Sequence, residues 1–587
     1  MKRLVIVGGV AAGASAAAKA RRTSEDIEIV MVEAGPYVSF ANCGLPYYLG
    51  GEISERDSLF VSNAETFIRR FNIDVRLNTR AESVDLEQKK VQLVAPDGQS
   101  ESLEYDRLIL ATGAEAVMPA IKGIQSAEGI FTLKTVPDVD DITDRIGSLG
   151  KGAELKALVI GGGYIGLETA EQLNTRGCDV TLVELADQVI PVMDREMTLT
   201  ATRALVDSGV KLILGEAVIE FRRDDSGVQR AITSGGSEVE FDLCILSVGV
   251  RPSVQLAKDA GLAMGDSGAI QVDGYQKTSD SAVYAAGDNS ETIHAVLGRP
   301  VCIPLAGPAN KAGRAAGLNA AYDLMGRSDD DPGRLRLTGV LGTSIVRVSG
   351  VSAAVTGLTE RQARREGFDC KVTYMAGPDH ASYYPGSEPM HLKVVWEKES
   401  GRLLGAQCCG GKGVDKRIDI IATAIQGGMG ISDLEQLDLC YAPPFGSAKD
   451  VAIQAGFAAN NSRKGVMPEI TAGELFEFLE SDDPPVVVDV RSPREYEEGH
   501  LAEAVNVPLS QIRERRNEIP TSGRVALYCL GGYRSYVALR ILMNHGWDNI
   551  CNVQGGYEMI NMVRGTVEEG DAPEHTCLTP FDAAGNA

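Results

Sequence analysis

Two cysteines stand where a thiol could react. Cys43 lies in the segment Ser39-Phe40-Ala41-Asn42-Cys43-Gly44-Leu45-Pro46-Tyr47-Tyr48, and the next cysteine, Cys178, is far along the chain. With no second thiol in its own loop, Cys43 has to cycle with something outside it: a small thiol, a persulfide or an oxygen species. Its oxidised form is then a mixed disulfide or a sulfenic acid. Cys529 follows the apolar run Val525-Ala526-Leu527-Tyr528 and opens the loop Cys529-Leu530-Gly531-Gly532-Tyr533-Arg534, with a helix expected from Ser535. A cysteine between a strand and a helix N-terminus meets converging backbone N–H groups and the positive helix end, which favour a thiolate or persulfide anion. Arg534 adds a fixed positive charge at the end of that loop.

Elements able to position these thiols surround them. Residues 3–7 read as a buried strand, followed by Gly8-Gly9-Val10-Ala11-Ala12-Gly13 and a helix of small residues. A second apolar run ends at Glu33, twenty residues after Gly13. Glycines let the turn tighten and a helix N-terminus approach a pyrophosphate, while the acid accepts ribose hydroxyls. Val10 stands where this fingerprint has its middle glycine. The unit recurs as a strand at 157–160, Gly161-Gly162-Gly163-Tyr164-Ile165-Gly166 and a helix, with Glu184 eighteen residues beyond Gly166. Here all three glycines are present. The Glu184 charge repels a 2′-phosphate, which favours NADH, with NADPH as the alternative. Ala111-Thr112-Gly113 end a later strand, and Gly287-Asp288 put an acid after another, where it can bind a ribityl chain.

Composition excludes several classes. The 587 residues suggest about three to four domains at roughly 150 residues each. Mean hydropathy is −0.06, as in a globular protein, and the net charge of −24 argues against non-specific nucleic-acid binding. No apolar run reaches the ~18 residues of a membrane span, and Leu4–Val7 stop at a glycine turn without a cleavage site, so a cytoplasmic protein is expected. Eleven cysteines without a C-x-x-C pair predict neither a disulfide framework nor a metal site. Cys178, Cys244, Cys302, Cys370, Cys408, Cys409, Cys440, Cys551 and Cys577 read as structural, with Cys440 singled out for its place beside Tyr441.

The two glycine units and the segments at 111–113 and 283–288 resemble the two-dinucleotide flavoprotein disulfide reductases over roughly residues 1–460. The resemblance implies FAD on the first unit, NAD on the second, and a helix opened by Asn310-Lys311-Ala312-Gly313 under the flavin. Among the single-cysteine members, oxidases and peroxidases carry a histidine in the first glycine loop, and this chain has none before His294. The segment around Cys43, Ser382-Tyr383-Tyr384-Pro385 and Tyr441-Ala442-Pro443-Pro444 resemble coenzyme A-disulfide reductases. That resemblance implies a homodimer in which Tyr383 and Tyr441 of the partner serve the cysteine as acids, with Tyr384 competing for the place of Tyr383. It also implies coenzyme A contacts from Arg22, Ser39, Asn42, Asn63 and Arg70.

Beyond residue 460, Asp489-Val490-Arg491, Glu498-Gly499-His500, the Cys529 loop and Gly555-Gly556-Tyr557 resemble a rhodanese domain. Four residues separate Cys529 from Arg534, one fewer than in related phosphatase loops, which suits sulfur rather than phosphate. The expected fold is α/β: two Rossmann-like dinucleotide-binding domains, for FAD and NAD, an α+β dimerisation domain and a C-terminal rhodanese α/β domain. The expected boundaries are 1–117 with 245–325 for FAD, 118–244 for NAD, 326–460 for the dimerisation domain, 463–565 for the rhodanese domain, and a tail at 566–587. The resemblance implies an NADH-dependent reductase of coenzyme A persulfide, polysulfide and coenzyme A disulfide. The alternatives are an NADH oxidase or peroxidase working through a sulfenic acid, and a redox-sensing sulfur-trafficking protein.

Overall fold

Residues 1–150, 155–225, 227–502 and 504–564 are described in a computed structural model of the chain. Residue 565, the expected tail at 566–587 and Cys577 lie outside the described residues. The chain forms two compact units: residues 1–189 with 205–342, and residues 190–204 with those from 343 on. Among the described residues no helix is long and apolar enough to cross a membrane.

The first unit carries two parallel five-stranded sheets. One runs in the order Val283–Ala285, Arg107–Leu110, Lys2–Val7, Ile27–Val32, Asp74–Arg76. The other runs Lys211–Leu214, Asp179–Glu184, Lys156–Ile160, Leu243–Leu246, Ile130–Thr132. The near-continuous apolar runs of the central strands suit sheets covered on both faces. The chain thus leaves the first sheet, builds the second, and returns to the first. The expected boundary between 244 and 245 falls inside the strand Leu243–Leu246, which pairs whole with the second sheet.

Helix packing on the first sheet depends on missing side chains. Ala11–Thr23 lies against Ala306–Leu324, and a Cβ on Gly313 would come 2.1 Å from the Ala12 carbonyl oxygen; one on Gly317 would come 2.3 Å from that of Ala16. Only glycine permits that approach. The later helix begins at Ala306, earlier than the expected opening at Asn310. Pro308 falls in its first turn, where a missing N–H breaks no intrahelical bond.

The second unit holds an antiparallel sheet in the order Ser344–Val348, Val351–Gly357, Leu403–Gly410, Pro389–Glu397, Cys370–Pro378. Helices Val414–Gln426 and Val451–Arg463 bury Ile418, Ile421, Ala452 and Ala455 against it, around Trp396. Further along, a parallel sheet runs Glu469–Ile470, Ile550–Val553, Val525–Tyr528, Val486–Asp489, Val505–Asn506. The Gln554 side chain donates to the Val372 carbonyl at 3.0 Å and accepts from Tyr374 N at 3.3 Å, tying this sheet to the antiparallel one.

One buried charge cluster braces the second unit. The Lys393 ammonium is 1% exposed and lies 2.8, 2.6 and 2.7 Å from carboxylates of Asp194, Glu196 and Glu360. These three acids converge as metal ligands do, but the ammonium stands among them. Burial pushes the Asp194 carboxyl up, and Lys393 with the Gln407 amide outweighs it, leaving the carboxyl below its ordinary value. Lys393→Met should therefore leave buried Asp194 and half-buried Glu196 and Glu360 without their shared cation and cost about 3–5 kcal/mol of stability at neutral pH. The deficit should shrink as pH falls into the carboxylate range, because protonation removes the uncompensated charge. Thermal unfolding across pH checks both the size and the sign.

Candidate active site

The first glycine loop is shaped for a ligand's approach. A Cβ on Gly8 would meet the Ala111 carbonyl oxygen at 2.1 Å, one on Gly13 the Gly8 carbonyl oxygen at 1.8 Å, and one on Gly287 the Ala12 Cβ at 2.9 Å. Val10 has φ −93°, so its backbone requires no glycine, and the helix starts directly after it at Ala11. Glu33 accepts from Gly9 N at 2.7 Å and Gly35 N at 2.8 Å, although burial pushes its carboxyl up. Thr112 is spent structurally, donating to the Ser253 carbonyl at 2.6 Å and accepting from the Asn289 amide at 2.9 Å. The Asp288 carboxyl is raised by burial, with Lys134 opposing, and among the described residues no protein group donates to it. A crowded glycine cradle, a carboxylate at a strand end and a second, unbonded carboxylate fit FAD. Lys311 is exposed on the helix Ala306–Leu324.

The second glycine loop repeats the pattern. A Cβ on Gly161 would stand 2.4 Å from the Ser247 carbonyl oxygen and one on Gly166 would stand 1.9 Å from that of Gly161. Gly163 caps the helix Tyr164–Thr175, on which Ile165 is exposed. Glu184 accepts from Gly162 N at 2.5 Å and Ala186 N at 2.8 Å, which fixes its carboxylate at the strand end. Fixed there, it should impose at least a several-fold preference for NADH over NADPH, since an uncompensated anion against a 2′-phosphate costs ~1 kcal/mol or more. Catalytic efficiencies with the two nucleotides test this; equal use would refute it.

Cys43 sits in a single 3₁₀ turn, Asn42–Gly44, that feeds the short helix Leu45–Gly50. That helix packs on Tyr164–Thr175 closely enough that a Cβ on Gly50 would strike the Gln172 amide. Tyr47 donates to Glu168 at 2.9 Å, and the Asn42 amide donates to the Lys134 carbonyl at 3.1 Å. The Cys43 thiol reaches solvent, but its desolvation, and then the charges of Glu168 and Asp288, hold it above its ordinary value, with Lys134 opposing. Residues near 43, 134, 168 and 288 are thereby brought around one sulfur. Nothing local in the sequence pointed to Lys134 or Glu168.

Around this turn lie the expected coenzyme A contacts. Ser39 adopts φ 52° and its N–H donates to the Gly9 carbonyl at 3.0 Å, linking the Cys43 segment to the first glycine loop. Asn63 caps the helix Ala64–Phe71, accepting from Thr66 N at 2.8 Å, and with Arg70, Ser62 and Thr66 it lines a cavity of about 440 Å³. Of the neighbouring arginines, Arg21 is buried and donates to the carbonyls of Phe71, Asn72, Ser24 and Glu25, whereas Arg22 is exposed. Burial, then Arg314 and Arg22, lower the Lys19 ammonium, so three cations crowd one face of the helix pair.

In the second unit, Tyr383 and Tyr441 share a hydrogen bond, 2.9 Å between their hydroxyls, and both are largely exposed, at 75% and 49%. The bond from Tyr441 raises the Tyr383 phenol. Tyr384 takes no part; its ring stands edge-on to His380 at 5.7 Å. Ala381 N donates to the carbonyls of Pro443 and Gly446, which fastens the Tyr383 loop to the Tyr441 turn.

Cys529 ends the strand Val525–Tyr528, buried, and accepts from Gly532 N at 3.1 Å and the Ser535 hydroxyl at 3.4 Å. The following helix is Tyr533–Met543, two residues longer at its start than expected, because Gly532 at φ 96° turns the chain directly into it. Arg534 is therefore in the first helical turn. Its guanidinium forks onto Glu495, at 2.8 and 2.6 Å. Ser535 and Glu495 are functional neighbours that motif reading passed over; the Ser492-x-x-Glu495 capping box was the available signal for the latter.

Of the other cysteines described, Cys178, Cys244, Cys370, Cys408, Cys409 and Cys551 are buried, Cys302 is half-buried and Cys440 is exposed.

The chain matches three family patterns: Pyridine nucleotide-disulphide oxidoreductase over residues 2–302, its dimerisation domain over 343–453, and Rhodanese-like domain over 471–562. It is 36% identical over 450 residues to the NAD(P)H sulfur oxidoreductase (CoA-dependent) of Pyrococcus abyssi, covering 76% of this chain and 96% of the relative. The reduced CoADR-RHD of Bacillus anthracis shares 39% identity and a TM-score of 0.90 over 96% of this chain and 98% of its own. The NAD-dependent persulfide reductase of A. fulgidus shares 38% identity and a TM-score of 0.85, over 94% and 99%.

Proposed function

The chain belongs to the pyridine nucleotide-disulphide oxidoreductase family, and from that premise we propose that it is an NAD(P)H-dependent flavoprotein reducing coenzyme A persulfide, polysulfide and coenzyme A disulfide, with Cys43 as its reacting thiol and Cys529 as a sulfur carrier. The observation that carries the reading is the solitary Cys43 beside the two nucleotide loops, with no second cysteine in its segment. FAD supplies the two-electron passage from the nicotinamide to sulfur. The protein's own part is to hold, protect and release one sulfur atom. Burial and two carboxylates disfavour a Cys43 thiolate, but a mixed disulfide with coenzyme A carries no charge and escapes that penalty. Once freed, the thiolate attacks the disulfide or persulfide bond of the next substrate; sulfide or coenzyme A leaves and the mixed disulfide re-forms.

We assign the proton for that leaving group to the phenols of Tyr383 and Tyr441, since a phenol hydrogen-bonded to another can donate to a thiolate. Their exposure in a single chain supports a second copy covering them, as does the match to a dimerisation domain. A homodimer is the reading, and a solution mass of one chain would refute it. Arg22, Ser39, Asn42, Asn63 and Arg70 are proposed to hold coenzyme A, the two arginines at its phosphates. The free cysteines suit a reducing compartment, the cytoplasm.

Intact mass of the purified protein, before and after reduction, tests the central claim. The expected result is loss of one coenzyme A per chain, mapped to the Cys43 peptide. Cys43 recovered only as a sulfenic acid, with oxygen consumed faster than persulfide, would replace this reading with an oxidase.

A further inference from the structure

In the rhodanese-like domain the cations by Cys529 are paired with carboxylates. Two arginines, Arg491 and Arg534, stand by the Cys529 loop, and each has a carboxylate of its own. Arg491 forks onto buried Asp489, with contacts of 2.9 and 2.7 Å to one oxygen, donates to the Gly499 carbonyl at 2.6 Å and lies over the Tyr557 ring at 4.1 Å. Arg534, the cation next to Cys529, is held in both N–H directions by Glu495. Glu495 is itself locked, because it accepts from Ser492 N at 3.0 Å and from the Ser492 hydroxyl at 2.7 Å within a capping box. A further acid, Glu558, adjoins the loop at Gly531 with no cation paired to it in the described residues. The cavity beside Leu530 holds about 170 Å³ and is lined by Arg491, Glu495, Glu498, Gly499 and Tyr557.

In this arrangement the Glu495 carboxylate offsets the Arg534 charge next to Cys529. Gly532 N, the Ser535 hydroxyl and the face of Arg534 toward Cys529 support a thiolate or a persulfide anion. A dianionic donor would need a free guanidinium fork, and the Arg534 fork is taken. We propose that Glu495 is a specificity-determining residue of the sulfur-transfer site: by occupying the Arg534 fork it selects sulfane-sulfur donors of low negative charge, organic persulfides, over the thiosulfate dianion. The inference rests on Cys529 being the sulfur carrier assigned above.

Both transfers begin alike and differ in what must be accommodated. With an organic persulfide R–S–SH, the Cys529 thiolate attacks the outer sulfur, the donor's S–S bond breaks, and R–S⁻ leaves and takes up the proton. Cys529 is left as a persulfide anion and the total charge near the loop stays at one. With thiosulfate the same attack releases sulfite, and three negative charges share the loop throughout.

The test uses the full-length holoenzyme and follows gain of one sulfur atom on the Cys529 peptide by mass. The donors are thiosulfate, a dianion, and the persulfide of N-acetylcysteine methyl ester, which carries at most one negative charge. Wild type should load at least about ten-fold faster from the organic persulfide, and Glu495→Gln, which keeps the shape of the capping side chain, should raise the thiosulfate-to-persulfide rate ratio about ten-fold or more. A second measurement needs no variant: added inert salt should speed loading of wild type from thiosulfate relative to the persulfide, because it screens the repulsion. Equal wild-type loading from both donors, no salt response, or parallel slowing of both donors in Glu495→Gln would each overturn the proposal. Failure of Cys529 to take sulfur from either donor would instead remove the carrier role on which it rests.

Discussion

Cys43→Ser is expected to bind its FAD fully and to lose NAD(P)H-dependent reduction of coenzyme A disulfide and coenzyme A persulfide by ~10³-fold or more, the scale on which enzymes lose activity with their only nucleophile. The cradle proposed for the flavin comprises Gly8, Gly13, Gly287, Glu33 and Asp288, and the Cys43 side chain forms none of it. Serine is nearly isosteric in a 3₁₀ turn whose backbone bonds, such as Gly44 N to the Ala41 carbonyl at 2.9 Å, do not involve the sulfur. A slow oxidation of NADH by oxygen should survive, since it needs only the flavin. The measurement is steady-state reduction of each sulfur substrate by the variant, alongside its flavin absorbance. Persulfide reduction near the wild-type rate would mean that another thiol is the acceptor, and half-buried Cys302 would be the next residue to replace.

The second large effect falls on the other unit. Cys529→Ser should abolish persulfide formation on the rhodanese-like domain while reduction of coenzyme A disulfide stays within about two-fold of wild type, as expected for sites without shared partners. Cys529 has its own supports, Gly532 N and the Ser535 hydroxyl, within a sheet and helix that close their own core around Val488, Leu527, Leu539 and Trp547. Reduction of polysulfide should suffer more than reduction of preformed coenzyme A persulfide, because only the former needs a carrier for sulfane sulfur. Assaying all three substrates on one variant decides the matter. An equal loss on all three would show that the domain supports the fold rather than the sulfur step. The Gln554 bonds to Val372 and Tyr374 are then the contact to examine.

Much of this protein is readable along the chain because its signals are local. A strand, a tight glycine turn and a helix N-terminus occupy fewer than fifteen residues, so Gly8–Gly13 with Glu33, and Gly161–Gly166 with Glu184, declare two nucleotide units by spacing alone. The isolation of Cys43 and the strand–loop–helix setting of Cys529 are equally local. Even there, helix starts moved: Ala306 rather than Asn310, and Tyr533 rather than Ser535. Helix beginnings answer to capping and to glycine dihedrals, which composition signals only weakly.

What spacing could not decide was which side chains meet. Arg21 and Arg22 are neighbours in sequence, yet one is sealed under carbonyls and the other open, because successive helical positions face different directions. Tyr383 rather than Tyr384 bonds Tyr441, across 58 residues, for want of any local rule that pairs two loops. Glu495 takes the Arg534 fork from 39 residues away, and Asp288 and Lys134 from two separate loops gather with Glu168 from a helix on Cys43. The sequence by itself determined the chemistry on offer: two dinucleotide loops, one solitary thiol and one cradled thiol, each written within a single turn of chain. The tertiary structure alone decided the charge around each sulfur, because Coulomb energy depends on distance through space, and those distances are set by sheet order and helix packing.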